Sequence, residues 1–246
     1  VFPLRDDNPT LRLPLVTMAL ILANGIAWIY VQGGGSAAQL AQSVCQYGLI
    51  TGEFLGTVAR GTRVSLGDGF LCTLGGGPTW YTPLTSMFMH GGWFHIVGNL
   101  WFLWVFGNNV EDSMGRLRFV AFYVLCGLGA AAAQMASNPD AAVPMVGASG
   151  AISGVMGAYL VLYPHAHVHT LVIFGFYART VAVPAGFMLG YWFLLQLLGG
   201  VPALNAEGGG IAFWAHAGGF VMGMALVFPF RNPRLVMAHR EALRRG

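Results

Sequence analysis

The chain has 246 residues, of which 56% are hydrophobic and only 9% charged, with a mean hydropathy of +0.63; a soluble domain carries about 25% charged residues. That balance excludes a soluble module and implies a polytopic membrane protein. The 12 basic residues, all Arg, give a formal charge of +3 but form no continuous stripe. No nucleic-acid partner is therefore expected, and the arginines read as topology signals.

A spanning helix needs about 20 mostly apolar residues. Six runs meet that need, roughly 13–32, 93–110, 117–136, 147–163, 181–198 and 211–230. The first follows Arg5, Asp6, Asp7 and Arg12 and is too long for the core of a cleaved secretory signal, so it is expected to remain as a span. A Gly-rich stretch of about 33–92 separates the first two spans and carries Glu53, Arg60, Arg63 and Asp68. It is too long and too polar for a plain turn.

With the N-terminus in the cytoplasm, Arg5, Arg12, Arg116, Arg118, Arg179, Arg231, Arg234, Arg240, Arg244 and Arg245 fall inside, and Arg60 and Arg63 outside. The positive-inside rule favours that orientation. Both termini are then cytoplasmic, and the basic tail 231–246 forms a short helix on the anionic leaflet. Cys45 and Cys72 share the exterior stretch, where an oxidising compartment permits a disulfide.

Polar groups inside spans are costly and suggest function. The fourth span opens with GASG, in which Ser149 is flanked by Gly147 and Gly150. Glycines at 147, 150, 154 and 157 provide a small-residue packing face, but packing does not require the Ser149 hydroxyl. A serine needs a base to take its proton. His216, near the start of the sixth span and at similar depth, is the candidate, and Gly218, Gly219 and Gly223 permit close approach of another helix. No Asp or Glu lies in the fourth or sixth span, which favours a Ser–His dyad with the imidazole oriented by packing. His95 and Asn99, four apart on one face of the second span, are candidate donors to an oxyanion. His90 reads as a loop-fixing residue. His165, His167 and His169 alternate at the cytoplasmic end of the fourth span, away from these groups. No metal and no cofactor are expected.

This constellation resembles the rhomboid intramembrane serine proteases over roughly residues 80–230. The motifs carrying the resemblance are Gly147-Ala148-Ser149-Gly150, Ala215-His216-Ala217-Gly218-Gly219, and His90, His95 and Asn99. The resemblance implies an all-α polytopic membrane protein with a six-transmembrane-helix bundle and a long membrane-associated first exterior loop. Residues 1–230 would form the protease domain, in an integral protein of a bacterial inner membrane, with the site opening to the exterior. It implies cleavage of transmembrane protein substrates within the lipid bilayer, with Ser149 as nucleophile and His216 as base. His95, Asn99 and the Ser149 amide would form the oxyanion hole, and Gly147 would let the substrate backbone lie close. Two positions depart from the family pattern: Tyr81 follows Trp80 where many members have Arg, and Ser153 stands where some have a Tyr beneath the histidine. The resemblance leaves the oligomeric state open.

The competing functions are a pseudoprotease, which should lack the serine or the histidine, and a transporter, which should spread ionisable groups through the bundle. Substrate entry between the fifth and second spans is a further expectation. The loop 199–210 would act as lid, with Phe187, Tyr191, Trp192, Phe193 and Leu194 closing against Trp101, Phe102 and Trp104; the alternative is that these aromatics face lipid or anchor the helix at an interface.

Overall fold

The computed structural model describes residues 2–245 except 68, 78, 176 and 204–211. Asp68, Glu207 and most of the expected 199–210 lid thus lie outside the described residues. In chain order the elements begin with β1 (Phe2–Asp6), α1 (Leu15–Ile26, continuing through a π turn at Ala27–Val31), α2 (Ala37–Tyr47) and α3 (Thr51–Leu55). The hairpin β2 (Arg63–Ser65) and β3 (Leu71–Thr73) and the short α4 (Thr82–Thr85) precede α5 (Trp93–Met114), α6 (Arg116–Ser137) and α7 (Ser149–Leu162). Strands β4 (His167–Phe174) and β5 (Tyr177–Pro184) lead to α8 (Ala185–Ala203), α9 (Phe213–Phe230) and α10 (Pro233–Arg245).

Helices α1, α5, α6, α7, α8 and α9 occupy the six expected positions. By length and composition α6, α9 and residues Ala185–Pro202 of α8 are able to cross a membrane; Leu15–Val31 and Ser149–Leu162 are shorter apolar helices. α5 runs past the expected end at 110 because its acidic residues have partners. Glu111 accepts from the Val16 and Thr17 amides and the Thr17 hydroxyl at 3.1, 2.8 and 2.8 Å, capping the start of α1. Asp112 accepts from the Leu11 amide at 2.7 Å and from Arg12 Nε at 3.2 Å.

The fold is mostly helical, as expected, and carries small sheets besides. Strands β1, β4 and β5 form an antiparallel sheet in that order. Its signal is the alternation in HVHTLVIF, where Val168 and Thr170 are buried while His167 is exposed and His169 half-buried. Residues 181–184, assigned above to the fifth span, complete β5 instead. His167 and His169 therefore lie on a strand, not at a helix end, and His169 Nε2 faces Asp7 Oδ1 at 2.7 Å.

The bundle closes where side chains are absent. A Cβ on Gly223 would come within 1.9 Å of the Gly154 carbonyl oxygen, and one on Gly219 within 2.0 Å of that of Gly150. α7 and α9 thus touch backbone to backbone, as small-residue faces permit in membranes. Around this contact the core gathers Phe106, Phe119, Phe122, Tyr159 and Phe220, all fully buried.

The stretch between α1 and α5 folds on its own small apolar cluster of Ile50, Cys72 and Leu74. Cys45 and Cys72 form the disulfide that the sequence permitted, with Cα atoms 5.5 Å apart. Tyr81, the departure noted above, sets its ring 6.5 Å from that of Tyr47 on α2, and its hydroxyl donates to the Gln46 carbonyl at 3.5 Å. The segment is anchored there without an arginine.

Candidate active site

The site forms where α7 begins. The Gly147 amide donates to the Ser86 carbonyl at 2.9 Å, and Leu49 and Met145 exchange backbone bonds of 2.9 and 2.8 Å, so the approach to Ser149 is fixed from two sides. Gly147 has φ +129°, a conformation that side-chain-bearing residues rarely adopt. Ser149 is the first residue of α7, so its amide is among the helix N–H groups without an intrahelical acceptor. That N–H is free to donate to an anion.

His216 lies in the first turn of α9. The Ala215 amide beside it donates to Gln134 Oε1 of α6 at 3.3 Å, and Trp214 Nε1 donates to the Gly200 carbonyl of α8 at 3.0 Å, fixing the start of the helix. From this position His216 Nε2 stands 2.7 Å from Ser149 Oγ. The two residues, 67 positions apart, meet because the Gly219–Gly150 contact brings their backbones together one turn away.

His95 presents its ring to the same place. The Gly91 amide donates to His95 Nδ1 at 3.2 Å, so in the neutral ring the proton sits on Nε2. A Cβ on Gly147 would lie 2.8 Å from that Nε2 and 3.3 Å from Ser149 Oγ. Gly147 is therefore the point at which the donor, the nucleophile and an incoming backbone would converge. Asn99, buried one turn along α5, donates from Nδ2 to the His95 carbonyl at 2.9 Å and retains a second amide proton. A cavity of about 20 Å³ beside Ser149, lined by Met87, Val146, Gly147 and Ala215 among others, has room for one water molecule.

His90 differs from the reading above. Its ring nitrogens have no hydrogen-bond partner among the described residues. The loop is fixed instead by Gln32, whose side chain accepts from the His90 amide and donates to the His90 carbonyl, each at 2.8 Å. Burial, with the neighbouring His95, pushes the His90 imidazole down to about 3 and keeps it neutral.

The sequence reading missed Gln196. On α8, and only 9% exposed, it places Oε1 2.9 Å from His216 Nδ1. Trp192, one turn earlier, lies 5.9 Å from the His216 ring at a tilt of 38°. These two residues flank the imidazole. Ser153 turns away and donates to the Ser149 carbonyl at 2.6 Å.

Within this glycine-packed bundle a serine hydroxyl is bonded to a histidine across α7 and α9. A family model described as the Rhomboid domain matches residues 77–233, and the chain belongs to the rhomboid family, known as intramembrane serine proteases. It is 40% identical over 78 residues to Rhomboid-like protein 11, chloroplastic, of Arabidopsis thaliana, covering 32% of this chain and 28% of that protein. It is 28% identical over 143 residues to Rhomboid protein 1, mitochondrial, of Saccharomyces cerevisiae, covering 56% and 38%. Rhomboid protease GluP of Bacillus subtilis is 37% identical over 81 residues, covering 33% of this chain and 15% of that protein. The matches span well under half the length of each of these relatives. The chain is an integral membrane protein, and rhomboid proteases act on membrane protein substrates within the bilayer.

Proposed function

We propose that this chain is an intramembrane serine endopeptidase that hydrolyses peptide bonds in or near transmembrane segments. The observation that carries this reading is the 2.7 Å contact between Ser149 Oγ and His216 Nε2 across α7 and α9. Ser149 Oγ attacks the scissile carbonyl as its proton passes to Nε2, and the imidazolium then protonates the leaving amine. His95 Nε2–H, the free amide proton of Asn99 and the Ser149 N–H meet the oxyanion. Gly147, with no side chain, leaves room for the substrate backbone. A water molecule reaching the acyl-enzyme, activated by His216, completes the cycle.

The length of α7 supports a buried site. Its 14 residues span about 21 Å, at about 1.5 Å per residue, against about 30 Å of hydrocarbon. With its Leu162 end level with the arginine-rich face, Ser149 lies recessed from the opposite surface. We place that opposite surface on the exterior of a bacterial inner membrane, with both termini cytoplasmic, and the stretch between α1 and α5 associated with the outer leaflet.

The test is labelling of the purified protein in detergent with a fluorophosphonate probe, alongside cleavage of a model transmembrane substrate. Ser149→Ala and His216→Ala are each expected to abolish both activities with the fold intact. Substantial turnover in either variant would overturn the assignment.

A further inference from the structure

We infer that Gln196 is the third member of the catalytic unit, a positioning residue that selects the tautomer in which His216 can act as base. The inference rests on the protease reading above.

A neutral imidazole has one N–H and one lone pair. To accept the Ser149 proton, His216 must present the lone pair of Nε2 and carry its own proton on Nδ1. In the other tautomer Nε2–H points at Ser149 Oγ and no proton can be taken. A lone dyad has no means of choosing between them.

Gln196 supplies the choice through its own two contacts. Its Nε2 donates to the Trp192 carbonyl at 3.4 Å, and its Oε1 stands 2.9 Å from His216 Nδ1. A carbonyl oxygen only accepts, so the NH₂ end must face Trp192. The amide oxygen is thereby left facing His216, where it too can only accept. Nδ1 must then be the protonated nitrogen, and the Nε2 lone pair is turned to Ser149 Oγ, 2.7 Å away. Flipping the amide would set an oxygen against the Trp192 carbonyl and lose that bond, and its NH₂ would then pair only with the other tautomer, in which Nδ1 carries the lone pair.

The hydrogen bonds run in one direction, from Ser149 O–H through His216 to Gln196 and on to the Trp192 carbonyl. Among the described residues no carboxylate bonds to His216. As the imidazolium forms, the Gln196 carbonyl dipole remains aimed at its Nδ1–H, a role often filled by Asp. A neutral amide gives less electrostatic support than a carboxylate but needs no buried charge. Trp192 acts on both links, through its carbonyl on Gln196 and through its ring beside the imidazole.

The experiment compares full-length wild type with Gln196→Leu, which removes the acceptor at similar volume, and Gln196→Glu, which keeps one. Nitrogen NMR of isotope-labelled histidines, with the His216 signals identified by their loss in His216→Ala, reads the tautomer directly. The rate of fluorophosphonate labelling at Ser149 and kcat on a transmembrane substrate read the consequence. Wild type and Gln196→Glu should show Nδ1 protonated. Gln196→Leu should show the proton shared with or moved to Nε2, with kcat down about 10–100-fold, the usual cost of removing an orienting partner. Its KM and thermal midpoint should change little, and Gln196→Glu should recover most of the rate. Wild-type nitrogen shifts and rate in Gln196→Leu would remove Gln196 from the unit while leaving the protease reading intact. Equal losses in folded Leu and Glu variants would show that shape, not the acceptor, matters. A wild type that never labels would instead remove the protease reading, and the NMR spectrum would still decide the tautomer.

Discussion

Asn99 and Asp6 differ in what their environment does to them. Asn99 spends one amide proton on the His95 carbonyl and keeps the other, so on the proposed mechanism Asn99→Ala would delete one of three oxyanion donors. Loss of one such donor lowers kcat by about 10²–10³, and the two remaining here place the expectation at the lower end. KM should be nearly unchanged, as befits an interaction made mainly in the transition state; an unaltered kcat would return Asn99 to helix packing. Asp6, on β1, accepts a hydrogen bond from the Tyr159 hydroxyl. Burial raises its carboxyl to about 6, an effect the Tyr159 bond only partly offsets. The folded state thus holds the Asp6 proton more tightly than the unfolded chain does. The associated stability is complete below about pH 4, near the unfolded value, and is lost as pH rises through about 6. Asp6→Asn should flatten that part of the thermal-stability profile, and a variant whose midpoint retains the wild-type slope between these values would contradict it. At this scale the motifs singled out Ser149, His216, His95 and Asn99 as candidates in the sequence, because each motif lies within a single helix or at its start. Gln196 was not legible. One glutamine in the apolar run YWFLLQLLGG has no motif, and its meaning depends on how α8 is rotated against α9.

Helix positions were legible from apolar run length, but helix ends and strands were not. The end of α5 was misjudged because Glu111 and Asp112 look like solvent markers until α1 supplies their partners. Strand β5 was misjudged because VAVP is apolar enough to extend a span, although its β-branched alternation belongs to a sheet. The glycine face of α7 and α9 was visible as a spacing, but the contact it makes was not. Gly223→Ala tests that contact at a position two turns from His216. Its Cβ would meet the Gly154 carbonyl oxygen at 1.9 Å, and neither backbone can yield alone. We expect a loss of stability of about 1–3 kcal/mol or more, with cleavage falling as Ser149 and His216 are driven apart. Gly190→Ala on α8, where nothing lies within 4 Å of the added Cβ, should be neutral or slightly stabilising. Similar behaviour of the two variants would show that the contact does not set the register. The Cys45–Cys72 bond belongs to the same scale. It closes a loop of 27 residues, so Cys72→Ala should destabilise the segment between α1 and α5 by about 2–4 kcal/mol. Peptide mass spectrometry without reductant should find the pair joined, and two free thiols would remove the link.

Across the whole molecule, the N-terminal strand, the β4–β5 hairpin and α10 lie at one end. His239 Nε2 sits 2.8 Å from the Pro9 carbonyl, with its ring 4.7 Å from that of Tyr163. The segment after β1 and α10 therefore share a face. On the proposed protease reading, a transmembrane substrate would have to reach a hydroxyl enclosed by helices at the other end, so one helix would have to yield. Trp101, Phe102, Trp192 and Phe193, four of the residues expected to close α8 against α5, pack elsewhere, and Phe187, Tyr191 and Leu194 are exposed. Trp101 Nε1 donates to the Pro3 carbonyl at 2.6 Å, and Phe102 packs on Phe2 and Phe106. Phe193 stacks on Phe220 of α9 at 4.7 Å, and Trp192 lies 5.9 Å from both Phe220 and His216. What holds α8 in place is thus its grip on α9. The two aromatics should consequently part company on mutation. Phe193→Ala weakens the grip without touching the imidazole, so cleavage of a transmembrane substrate should rise while the rate of labelling by a small soluble probe stays constant. Trp192→Ala removes the ring beside His216, so labelling should fall, and cleavage with it. A rise in both assays for Phe193→Ala would mean that the site itself had changed. An unchanged cleavage rate in that variant, with normal expression and a folded thermal transition, would mean that α8 does not move for the substrate to enter.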